Sequence, residues 1–204
     1  MALVRRRRRG ERGAALLEAA IVTPLFFTLI FGIFEFGLLF RDSLTTTNAG
    51  KQGARAASVS GQRPDADYLI LRSIEHGLQA MGTDELELIV VFRASGPDDV
   101  VPPSCLVSSQ LDAGPGTLAC NRYTAAELAL DIDDSAGNDI GNFRCSTTAV
   151  DRYWCPADRE TSITAGVEYI GVYIETSHSY ITGLFGTGTT LTETTILRLE
   201  PESQ

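Results

Sequence analysis

Six side chains in this sequence combine unusual placement with reactive or ionisable chemistry. Two are glutamates, Glu18 and Glu35, the only charges in an apolar run from Ala14 to Phe40; four are cysteines, Cys105, Cys120, Cys145 and Cys155. A carboxylate at membrane depth is costly, so each glutamate must sit near an interface or meet a partner. Glu35 lies five residues before Phe40, about 7–8 Å along a helix axis, within reach of an outer interface. The cysteines are separated by 14, 24 and 9 residues, which fits no zinc ribbon or finger, whose ligands come in pairs about two to four residues apart. An even number of cysteines in a segment expected outside the membrane reads as two disulfides. Of the three pairings, loop-closure entropy favours Cys105–Cys120 with Cys145–Cys155.

Other chemistry is thinly represented. The two histidines, His76 and His178, have no reason to meet, and no nucleophile elbow, phosphate loop or HExxH motif is present. The acidic stretch from Asp131 to Asn142 has Ala136 where a calcium loop requires glycine, and Asn142 where it requires glutamate. Its carboxylates Asp131, Asp133 and Asp134 include no pair singled out for glycoside hydrolysis. A solvated acidic loop is the expectation, with no catalytic residue, no metal and no cofactor.

The element that must position the glutamates is the apolar run itself. Its 27 residues exceed the roughly 20 that cross a bilayer core and the about 7–15 of a secretory signal core. Six arginines, Arg5 to Arg9 and Arg12, flank its N-terminal end, whereas Arg41 stands alone at the other until Lys51. The positive-inside rule then puts residues 1–13 in the cytoplasm, a transmembrane helix at 14–40, and residues 41–204 outside. The outer part carries 11 basic and 23 acidic residues, a net of −12 against −9 for the whole chain, a balance that excludes nucleic acid as a partner.

The segment Gly13-Ala14-Ala15-Leu16-Leu17-Glu18 behind a basic leader resembles the type IV prepilin processing site. The resemblance implies cleavage between Gly13 and Ala14 by a prepilin peptidase, leaving Glu18 as the fifth residue of the mature chain. Ala19 departs from the pattern, which usually has an aromatic residue there. Together with Thr23-Pro24-Leu25, Gly32-Ile33-Phe34-Glu35-Phe36-Gly37 and Gly53-Ala54-Arg55-Ala56-Ala57, this segment resembles the N-terminal pattern of the TadE/TadG-like pseudopilins, or minor pilins, of tight-adherence (Flp) pilus systems. The stretch from Tyr169–Ile174 through Leu184-Phe185-Gly186 to Leu197–Pro201 is similar to actinobacterial members, and residues 96–160 match nothing we can name. The resemblance implies a pilin-like structural protein of the bacterial cytoplasmic membrane, retained there or exported into a pilus. Its implied partners are other pilus subunits, assembly membrane proteins and the peptidase, with Glu18 and Glu35 serving assembly. The alternative is a signal-anchored surface protein that binds a ligand and never enters a pilus.

Beyond Phe40 nothing outright breaks a helix before Ala57, and Gly50, Gly53, Ala54 and Ala57 form a smooth stripe that lets a sheet or second helix approach. Ser60–Pro64 is a break, and apolar spacing predicts a second helix over 65–81. Alternation predicts three strands, near 86–92, 167–176 and 189–199. The connection 177–188 is apolar for a loop, suiting a partner contact, a membrane-proximal contact or a fold back over the sheet. The expected class is α+β: a long N-terminal transmembrane and stalk helix, a second helix, and a small antiparallel sheet of about three strands. The polar, Gly/Pro-rich insertion 96–160 carries all four cysteines, whose disulfides would stand in for a missing core.

Overall fold

The computed structural model describes residues 9–107, 118–132, 141–162 and 166–201, with side chains from residue 13 onward. Residues 1–8 of the basic leader and 133–140 of the acidic stretch, including Asp133 and Asp134, lie outside the described residues.

Helix α1 (Arg9–Ser60) is continuous over 52 residues, roughly 78 Å at 1.5 Å per residue. Pro24 removes one rung of its ladder, and the Thr28 hydroxyl donates to the Pro24 carbonyl at 2.9 Å. In its N-terminal half apolar side chains such as Leu16, Ile21, Leu25 and Phe34 stand exposed, while Ala49, Ala54 and Ala57 are fully buried. One helix therefore has two unlike halves. Its lower half is long and apolar enough to cross a membrane; its upper half is the spine of a folded domain.

That spine packs against α2 (Ala66–Leu78) and a four-stranded antiparallel sheet of order β2-β1-β3-β4. The strands are β1 (Leu86–Ala94), β2 (Cys120–Tyr123), β3 (Tyr169–Ser179) and β4 (Gly188–Arg198). A side chain at Gly53 would put its Cβ 2.5 Å from Ile74 Cγ1 and 3.5 Å from Val172 Cγ1, so the absent side chain is what lets helix, helix and sheet meet. On the α2 side Ile70, Ile74, Ile89, Val91, Val172 and Ile174 join one core.

The sheet has one strand more than the sequence reading expects. The extra one, β2, comes from inside the insertion and pairs with β1, Ile89 opposite Tyr123 and Phe92 opposite Cys120. Nor is the insertion without a core. It contributes Tyr123, Leu128, Phe143 and Trp154 to the main cluster, and on the opposite sheet face Cys105 and Cys120 pack with Leu88, Val90 and Phe92. Both faces of β1 are thus covered, which accounts for its nearly unbroken apolar run. Disulfides join Cys105 to Cys120 and Cys145 to Cys155.

A buried polar cluster fastens the insertion to α2. Asp67, in the first turn of α2, accepts from Asn121 Nδ2 at 2.7 Å and Tyr123 Oη at 2.5 Å, and is ion-paired with Arg159. Asn121 also exchanges two hydrogen bonds with the Trp154 backbone, at 2.8 and 2.9 Å. The Arg159 guanidinium stacks 4.6 Å from the Trp154 ring centroid. Burial, then the neighbouring Asp67 charge, pushes the Tyr123 phenol well above its ordinary range.

Candidate functional site

Residues 35, 42, 46 and 53 lie 7, 11 and 18 positions apart, separations that return to one side of a helix with 3.6 residues per turn. That side of α1 faces β3 along its length. Thr46 and Thr176 share a hydrogen bond of 2.8 Å, and Asp42 Oδ2 lies 2.7 Å from His178 Nδ1. Arg41 donates to the other oxygen of Asp42 at 2.8 Å. At the upper end the Ser58 hydroxyl donates to the Arg198 carbonyl at 2.7 Å. The strand runs antiparallel to the helix, so the β3–β4 connection is carried toward the helix N-terminus and past Phe40.

There it closes over Glu35. The carboxylate accepts from the backbone N–H of Ile181 at 3.2 Å, from that of Thr182 at 2.5 Å and from the Thr182 hydroxyl at 2.7 Å. Glu35 is only 2% exposed, although the helix around it is bare. Beside it the Phe36 and Phe185 rings lie 5.2 Å apart, and the tip of Phe185 passes over Gly32, where a Cβ would meet it in ordinary contact at 3.7 Å. Tyr180 stands edge-on to His178 at 5.2 Å and 6.2 Å from Phe185, continuing the aromatic contact up to the Asp42 pair. The loop 180–187 therefore neither folds over the sheet nor extends away from the molecule. It docks on the apolar helix.

The arrangement holds a carboxylate within an apolar helix by three hydrogen-bond donors, two of them backbone amides. Among the described residues no group of three His, Cys, Asp or Glu side chains is set to hold a metal ion.

The other glutamate is in a different state. Glu18 is exposed, amid exposed Leu16, Leu17, Ile21 and Val22, and no hydrogen bond or ion pair joins it to any residue whose side chain is described. Gly13 lies in the first turns of α1, with open space where a side chain would be, and Ala14 is exposed beside it. The four cysteines lie in the insertion, away from both glutamates. Nothing in the local sequence marks Thr182 or Ile181 as partners of Glu35; the one signal available was the apolar character of a loop that should have been polar.

Compared with known proteins, residues 13–55 match the TadE-like protein family. The match runs from the glycine ahead of Glu18, through Glu35 and Asp42, to the small-residue stripe that meets α2 and β3. No curated protein and no solved structure matches the chain.

Proposed function

We propose that this chain, TadE-like over residues 13–55, is a pseudopilin or minor pilin of a tight-adherence pilus machinery, processed after Gly13 by a prepilin peptidase. The coarser statement, a pilus-associated structural component, follows from the family. The observation that carries the finer one is the division of α1: an exposed apolar half bearing Glu18, continuous with a half that forms the spine of an α+β domain.

In this reading residues 1–13 are a cytoplasmic leader, 14–40 cross the membrane and 41–204 form the outer domain. Cutting behind Gly13 creates an α-amino group on Ala14, four residues from Glu18. An acid buried among packed apolar helices needs a cationic partner, and a neighbouring subunit's new N-terminus supplies one. Pairing of that kind fixes the axial offset between subunits and drives assembly. Glu35, already satisfied by Ile181 and Thr182, is free of that demand and serves to set the domain against the helix.

Sequencing the N-terminus of the mature protein tests the proposal. Ala14 is the expected first residue. Met1 or Ala2 would instead support a signal-anchored surface protein that stays outside any pilus.

A further inference from the structure

We propose that the β3–β4 hairpin tip, residues 180–187, is inserted in the outer leaflet of the bilayer as a second membrane contact beside the spanning helix. The inference rests on the reading of 14–40 as that helix. Depth is fixed by the docking on α1. Phe185 packs at Gly32 and Phe36, and Thr182 at Glu35, positions four to eight residues below the end of the apolar run at Phe40. At 1.5 Å per residue these lie about 6–12 Å down the helix axis, at the level where headgroups give way to acyl chains.

The tip has the composition for that depth. Ile181 is 76% exposed, Leu184 50% and Phe185 47%, three large apolar side chains on one turn, of which Phe185 also leans on Phe36 and Tyr180. Between His178 and Glu193 there is no charged residue, in a chain otherwise acidic and repelled by anionic headgroups. Tyr180, half-buried at the base of the tip, is a residue type enriched where bilayer meets water. Beside the tip, Phe31, Phe34 and Leu38 of α1 form with Ile181 an apolar cleft, so the exposed apolar surface is continuous from helix to hairpin.

Five of the tip's eight backbone N–H groups meet the stricter requirement. Irregular backbone is tolerated at membrane depth only when its polar groups find partners within the protein. The N–H groups of Ile181 and Thr182 donate to Glu35. That of Tyr180 donates to the Thr187 carbonyl at 3.2 Å, that of Gly186 to the Gly183 carbonyl at 3.4 Å, and that of Leu184 to the Thr182 hydroxyl at 3.4 Å. Glu35 and the hairpin solve one another's problem: a carboxylate too deep for water, and amides too deep for water.

The test uses the full chain in phosphatidylcholine bilayers containing lipids brominated near the top of the acyl chains or, in a parallel sample, near their ends, so that tryptophan is quenched at either depth. Separate Phe185→Trp and Ile181→Trp variants report the tip, Phe26→Trp reports the helix, and the unsubstituted protein supplies the Trp154 background. Insertion predicts blue-shifted emission and at least twofold quenching above background at residue 185, at residue 181 or at both. If Phe26→Trp is quenched while neither tip variant is, the helix spans and the hairpin inference fails. Blue-shifted but unquenched tip emission also overturns it, because protein and not lipid would then cover the tip. If Phe26→Trp is itself unquenched, the spanning helix fails and the inference goes with it.

Discussion

Thr182 meets Glu35 twice, through its amide at 2.5 Å and its hydroxyl at 2.7 Å, across 147 residues of sequence. A hydrogen bond to a charged acceptor contributes about 1.5–3 kcal/mol, and more is lost when a buried partner is left unsatisfied. Thr182→Val keeps the shape, removes one donor to Glu35 and takes away the acceptor of the Leu184 amide. We expect amide hydrogen exchange at Ile181 and Thr182 to accelerate by roughly tenfold or more in that variant. Glu35→Ala, which strands both amides, should accelerate it further. Unchanged protection in both variants would mean that the hairpin is held by its apolar contacts alone.

The approach of α1 to α2 gives a second expectation, at Gly77. A Cβ there would lie 2.6 Å from the Ala49 Cα and 2.9 Å from its Cβ, and the first of these is backbone that cannot rotate aside. Alanine is favoured over glycine within a helix by about 1 kcal/mol, whereas overpacking a close interface costs about 1–3 kcal/mol. Gly77→Ala should therefore lower the melting temperature of the domain. Gly37→Ala, with open space around it, should not.

Arg159 and Asp67 are both fully buried and paired. Removing one partner of a buried pair leaves an uncompensated charge, at a cost of about 3–5 kcal/mol. Arg159→Met should thus be among the most damaging single changes to the domain in chemical denaturation. The double variant Asp67→Asn with Arg159→Met should recover part of the loss. Double and single variants of equal stability would show that Arg159 acts through its stacking on Trp154 instead.

These cases also mark where sequence reading succeeds. The long helix is legible because apolar length and a stripe of small residues are local signals, and Gly50, Gly53, Ala54 and Ala57 do lie buried at the interface. Strands β1, β3 and β4 are legible because each spans nine residues or more of patterned sequence. β2 is only four residues, Cys-Asn-Arg-Tyr, too short for a period to emerge within a polar, Gly/Pro-rich stretch. Phe143 and Trp154 are core residues of that same stretch, but isolated aromatics in a loop carry no periodicity. The candidate site was half legible. Glu35 stands out as a charge in an apolar run, yet its partners are fixed by the length and register of a hairpin more than a hundred residues away. Asp67 carries no local sign that the fold will bring Arg159 to it.

Asp151 links the insertion to the pH of the surroundings. Its carboxylate accepts from the amides of Arg144 at 3.0 Å and Cys145 at 2.9 Å. Those two residues have φ of 84° and 57°, in the left-handed region that side-chain-bearing residues rarely adopt, so the carboxylate pins a turn next to the Cys145–Cys155 disulfide. Burial, then the nearby Asp67 charge, raises the Asp151 carboxyl to about 6. A carboxyl raised on folding makes the native state bind more protons than the unfolded chain between the unfolded value, about 4, and about 6. In that window stability falls as pH rises, since the slope follows the difference in bound protons. The contribution is complete below pH of about 4 and lost above about 6, on the order of 2–3 kcal/mol in all. Denaturation with the disulfides intact should therefore show this component rising on acidification from pH 7 to 5. The Asp151→Asn variant should have a flatter pH profile than the unsubstituted protein, and parallel profiles would assign the dependence to other groups.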